Sequence, residues 1–190
     1  LQYHIPLELD KSFIIFKEEG PFFPCPWHYH SEYELVLVNK STGVRQVGDH
    51  IGYFMEGDLV LMGPSLPHLW TNDPQYFKGK ANLTAEATVI HFVENFLGKE
   101  FYNLPEIEPI NNLLKLSKHG MVIRGKTRDK IAALMQEMQT MSGIQRLASL
   151  LTIFDILCAS NEYELLASPG YLKQGLLDCS DKFSKVNAYI

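Results

Sequence analysis

Apolar positions come in short alternating runs through the first half of the chain and fall at helical spacing through the second. Residues 13–16, 33–39, 44–47, 58–61 and 88–92 are rich in β-branched and aromatic side chains. Turn signals separate them, at Glu19 and Gly20, at Ser41, Thr42 and Gly43, at Glu56 and Gly57, and at Asn72, Asp73 and Pro74. Many short strands with regular punctuation predict a small β-barrel or jelly roll over roughly residues 10–92.

The second half reads as helices. Residues 109–118 fit a short helix with Gly120 as its stop. Ile131, Leu134, Met135, Met138 and Met141 mark one face at i, i+3, i+4, i+7 spacing. Ser142 and Gln145 stand three apart before an apolar run, a capping-box pattern. Leu147, Leu150, Leu151, Phe154, Leu157 and Cys158 then form the face of a further helix, antiparallel to the one before. Ile144, Ile153 and Ile156 lie off that stripe and widen it, which predicts a homodimer with a second copy of the helix packed about a two-fold axis. Residues 167–170 are a breaker, and 181–190 begin another helix. The period changes near residue 100, so the chain as a whole reads as α+β.

Composition narrows the field. With 46% hydrophobic and 21% charged residues the chain is neither disordered nor fibrous. The longest strongly apolar stretch, 147–159, contains Asp155 and is too short for a bilayer, and no signal peptide opens the chain, so no membrane partner is expected. A net charge of −5 argues against nucleic-acid binding by this chain alone. Three scattered cysteines, with no Cys-x-x-Cys, fit a reducing cytoplasm.

The histidines carry the candidate chemistry. In His28-Tyr29-His30-Ser31-Glu32-Tyr33-Glu34, the residues His28, His30 and Glu34 share strand parity and face one side together. His68 is a fourth candidate. Three imidazoles and a carboxylate suit Ni, Zn, Fe, Mn or Cu with open positions for a ligand. Pocket lining without metal accounts for the same residues. Glu34 then accepts hydrogen bonds inside the barrel, and His68 caps a turn or meets an effector hydroxyl. Trp27 and Trp70 flank the histidines as ligand platforms or as core. Arg45 is a candidate partner for an anionic effector. Glu32, beside the turn-like Ser31, is expected in solvent, and Cys25 precedes the strand.

His-x-His-x3-Glu at His28, His30 and Glu34, with Gly57, His68 and Asn72 downstream, resembles the two motifs of the cupin superfamily. The usual Pro-x-Gly reads Gly63-Pro64-Ser65 here, and the Gly usually found after the first motif is displaced to Gly43. The resemblance implies metal ligation by His28, His30, Glu34 and His68. A narrower resemblance rests on residues 28–35, on Val47-Gly48-Asp49, and on residues 56–64 and 66–70. Together these are similar to the N-terminal sensor of AraC/XylS-type transcription regulators. That resemblance implies an effector-binding cupin-like barrel over 1–100, a helical dimerisation region over 101–165, and a linker over 166–190. The linker would lead to a DNA-binding domain with two helix-turn-helix motifs beyond Ile190.

The expected role is therefore effector sensing and dimerisation in a regulator, without enzymatic activity. The effector would be a small molecule such as a sugar or sugar acid, and DNA would be bound only through the domain beyond Ile190. The alternative is a metal-dependent cupin enzyme, a dioxygenase, isomerase or epimerase. A carbohydrate-binding module is a third reading, supported only by the two Trp residues.

Overall fold

The computed structural model describes residues 1–2, 11–78 and 83–171. The helix expected over 181–190 and residues 172–190 of the expected linker lie outside these residues. One antiparallel sheet has six strands, in the order β1 (Phe13–Gly20), β7 (Ala85–Phe92), β2 (Tyr33–Lys40), β5 (Leu59–Met62), β8 (Met121–Ile123) and β9 (Tyr163–Leu165). A second sheet has three, in the order β4 (His50–Phe54), β3 (Gly43–Val47), β6 (His68–Asn72). Among the described residues the two sheets do not close into a continuous barrel. An isolated antiparallel bridge joins His28, ahead of β2, to His68 of the small sheet.

The large sheet is covered on both faces, which is why its central strands are apolar without alternation. Tyr33, Leu35, Leu37, Leu59, Leu61, Ile90 and Phe92 point to the helices. Val36, Val38, Val60, Met62, Ala87 and Val89 point to Val47, Phe54, Leu66 and Trp70 of the small sheet and its loops. Tyr33 and Phe92 are cross-strand partners with stacked rings 5.0 Å apart, and Phe154 meets Phe92 edge-on at 5.4 Å. The small sheet needs a bare backbone at its centre. A Cβ on Gly43 would stand 2.1 Å from the Thr71 carbonyl oxygen.

Three helices form the outer layer: α1 (Glu108–Leu116), α2 (Gly125–Met138) and α3 (Gly143–Cys158). A short 3-10 turn follows α1, and Gly120, at φ 68°, reverses the chain into β8. The α2 face of Ile131, Met135 and Met138 is buried as its spacing predicts. The α3 face differs from expectation. Ile153 is fully buried in the core with Leu150, Phe154 and Leu157, so it does not widen an outer surface. Ile144 is 76% exposed, while Leu147, Leu151 and Ile156 are half-buried. Ser142 holds the N-cap position of α3, but its side chain makes no capping hydrogen bond. The helical half also supplies β8 and β9 to the large sheet, pairings too short for periodicity to reveal. No helix among the described residues is long and apolar enough to cross a membrane.

Candidate functional site

Between the two sheets lies a cavity of about 430 Å³. His28, His30, Glu34, His68, His91 and Trp70 line it, with apolar residues of β1, β2 and β7. The four motif residues do converge, by a route that strand parity did not describe. Glu34 sits on β2 and His68 opens β6, while His28 and His30 precede β2. His28 pairs with His68 through the isolated bridge, and the chain bends at Ser31 and Glu32 before β2 begins. The departure from Pro-x-Gly is accommodated by Ser65, which takes the left-handed φ of 61°. From there its N–H donates to the His30 carbonyl at 2.7 Å and fixes the His30 loop.

Glu34 is the hub. Its Oε2 lies 2.9 Å from His30 Nε2 and 3.1 Å from His68 Nε2, and its Oε1 lies 3.4 Å from His91 Nε2. The other ring nitrogens face backbone carbonyls: His28 Nδ1 to Pro26 at 2.8 Å, His68 Nδ1 to Leu66 at 2.8 Å, His30 Nδ1 to Glu32 at 3.2 Å. A carbonyl only accepts, so each Nδ1 carries the hydrogen and a neutral ring turns a bare Nε2 lone pair inward. For His30 and His68 that lone pair meets a carboxylate, which also only accepts. Either a proton, giving imidazolium, or a metal cation must stand between them.

Burial alone would raise the Glu34 carboxyl. The charge of His68 and hydrogen bonds from His30, His68 and His91 overcome it and hold the group well below the ordinary carboxylate range. Burial pulls His68 down, but the Glu34 charge and hydrogen bond and the Leu66 carbonyl leave it raised. His28 is lowered, first by burial and then by the charge of His68.

The donor set fits a divalent ion. His28, His30 and His68 each present a nitrogen within 4.8 Å of the others, and so do the ligand atoms of His30, Glu34 and His91. All are buried, and His68 Nε2 and both His91 nitrogens lack an aligned hydrogen-bond partner. Imidazole and carboxylate together suit Zn, Ni, Fe or Mn.

The remaining candidates divide. Trp70 lines the cavity, with its ring 5.8 Å from His68 and its indole nitrogen unpartnered. Trp27 is half-buried outside the cavity wall, where its carbonyl meets the chain's amino terminus. Arg45 is 1% exposed and ion-paired with Asp58, also outside the wall. Its guanidinium is committed, which corrects the expectation of a free cation for an anionic effector. Glu32 is buried rather than solvated, accepting from the Ser31 hydroxyl at 2.9 Å. Asn72 is structural: it accepts the Phe23 N–H at 2.7 Å and donates to the Ser41 hydroxyl, pinning the loop that leads to the histidines.

Sequence reasoning missed His91, Glu18 and Cys25, all in the cavity wall. A signal existed for the first. Ile90 and Phe92 are large and apolar, so His91 between them must face the other side of β7.

No family model matches the sequence, and none of the curated proteins matches it. Solved structures do. The AraC-like transcriptional activator CuxR superposes with a TM-score of 0.50 at 10% identity, over 83% of this chain and 55% of CuxR. A cupin 2 conserved barrel domain protein from Rhodopseudomonas palustris matches over 46% of this chain and 57% of its own, with 14% identity and a TM-score of 0.36. Fatty-acid-bound ToxT from Vibrio cholerae matches over 80% of this chain and 53% of its own, at 13% identity and a TM-score of 0.46. The chain thus spans little more than half the length of each. At these identities the likeness is one of fold alone, an α+β domain that superposes on part of the AraC-like activator CuxR.

Proposed function

We propose that this chain is the effector-sensing and dimerising part of an AraC-type transcription regulator. The observation that carries this is the two-sided large sheet. Val36, Val38, Ala87 and Val89 face the cavity side, while Leu35, Leu37 and Ile90, their neighbours on the same strands, bear directly on α1, α2 and α3. A ligand that repacks one face loads the other, because close-packed layers transmit displacement. His28, His30, Glu34, His68 and His91 would orient the polar end of the effector, and Trp70 would flank it. A divalent ion, when bound by these residues, would supply a fixed positive charge for a ligand oxygen.

Dimerisation is assigned to α3. Ile144 stands exposed on α3, and Leu147 and Leu151, at i+3 and i+7 from it, are half-buried against the core and complete the patch. The coding sequence beyond Ile190 tests the regulator reading. A basic region with two helix-turn-helix motifs is expected, and a stop codon would overturn it.

The second reading, a metal-dependent cupin enzyme, is favoured by the buried imidazoles around Glu34. Such an ion polarises a carbonyl or activates dioxygen. Consumption of dioxygen or isomerisation of a sugar by the metal-loaded chain would bring that reading forward.

A further inference from the structure

The cavity wall is ordered in rows set by strand register. Ile14, His91 and Glu34 are partners across β1, β7 and β2, and Phe16, Val89 and Val36 form the next row. Glu18 and Ala87 form the row after that. One end is therefore imidazole and carboxylate, the middle is apolar, and the far end holds a second carboxylate beside a methyl group. Glu18 lies four residues from Ile14 along β1, about 13 Å of strand.

Glu18 is half-buried and makes no hydrogen bond or ion pair among the described residues. Burial, and after it the charge of Glu34, raise its carboxyl above the ordinary value. Its neighbour Cys25 is also raised by burial and remains a neutral thiol. The cation in the wall, Lys17, stands 3.0 Å from Glu19 and 3.0 Å from Glu86 and is committed to both. At this end of the cavity a ligand carboxylate would thus meet Glu18 and a lysine already paired, the imidazoles lying at the other end. The rings of Phe16, Phe23 and Trp70 offer an apolar and π-rich bed between the charged ends. At the opposite end His91 is 6% exposed, with Nε2 3.4 Å from Glu34 Oε1 and Nδ1 without an aligned hydrogen-bond partner, open to a ligand hydroxyl or an ion.

Resting on the reading of this cavity as an effector pocket, we propose that its ligand class is a small amine. The ammonium head sits beside Glu18 and the apolar body lies along Phe16, Val36 and Val89. The cavity volume, about 430 Å³, is at the small end of the range for small-molecule sites and suits a body of one ring or a short chain. Ala87, opposite Glu18 in the ladder, leaves room for the head group.

Calorimetry with three probes of one shape tests this: 2-phenylethylamine, 2-phenylethanol and phenylacetate, each titrated into the chain in chelator and again with excess Ni²⁺. The amine is expected to bind about tenfold tighter than the alcohol, and the acid weakest, in both conditions. Glu18→Gln should bring the amine down to the alcohol while leaving the alcohol unchanged, a pattern that loss of fold would not give. The proposal is overturned if the acid or alcohol equals the amine, if the preference survives in Glu18→Gln, or if no probe binds more tightly than about 1 mM. The effector-pocket reading stands or falls separately, on the sequence beyond Ile190.

Discussion

Glu34 of β2 and His91 of β7 are direct cross-strand partners, and the imidazole reaches the carboxylate at 3.4 Å. The pairing extends the cluster past its motif residues and makes His30 common to both groups of ligand atoms around Glu34. A divalent ion that binds the folded state is expected to raise the melting temperature by mass action. His30→Ala should abolish most of that gain, and His28→Ala or His91→Ala only part of it. Thermal scans with Ni²⁺ or Zn²⁺ on protein purified without chelator or immobilised nickel check the order. Equal losses in the three variants would contradict it.

Arg45 and Asp58 are 1% and 6% exposed, an ion pair out of solvent. Removing one partner strands the other charge, so Arg45→Met or Asp58→Leu alone should cost about 3–5 kcal/mol in urea unfolding. The double substitution should cost less than either. An additive double variant would mean the two charges do not depend on each other.

Ile153 and Ile144 lie on α3 with opposite fates. Ile153 is fully buried, so Ile153→Ala should destabilise the chain by about 2–4 kcal/mol. Ile144 is 76% exposed, so Ile144→Asp is expected to leave the fold nearly intact and to halve the mass measured by light scattering. A monomeric parent chain would remove the dimer outright.

Asp49 receives the N–H of Ser168 at 2.9 Å and its hydroxyl at 2.5 Å. These bonds, the side-chain one first, hold the Asp49 carboxyl below its ordinary value of 3.8. The contact therefore contributes fully above about pH 4 and is lost as pH falls through the lowered value. The Ser168 amide shift should titrate in that acidic window, and Asp49→Asn should flatten it. A Ser168 amide that titrates identically in Asp49→Asn would remove this contact as the cause.

Much of this architecture can be read from the chain, and its limits have physical causes. The strand runs in the first half and the face of α2 follow from periodicity, because each buries one clear stripe. The capping box at Ser142 failed because capping depends on rotamers that spacing does not encode. The turn at Gly63, Pro64 and Ser65 shows the same kind of limit, since a serine can be held in a left-handed conformation when its N–H finds the His30 carbonyl. Arg45 reads from sequence as a cation available to an effector, since its partner Asp58 lies on another segment. The four motif residues were legible by type and spacing, although the local backbone at His28 and His30 is not a regular strand. His91 and Glu18 belong to no motif; alternation with Ile90 and Phe92 marks the face of His91, and the register of β1, β7 and β2 places both in the cavity.

The placement of β8 and β9 bears on how this molecule can be divided. Both lie in the large sheet, hydrogen-bonded onward from β5, although they arise after residue 100. A protein cut at that residue would leave β5 as a bare edge and strip the helices from Leu35, Leu59 and Ile90. Such a half-chain would expose an apolar sheet prone to pair with its own kind. The cavity and the helices are thus one folding unit. A graft that moves the binding half to another protein must carry the helical half with it.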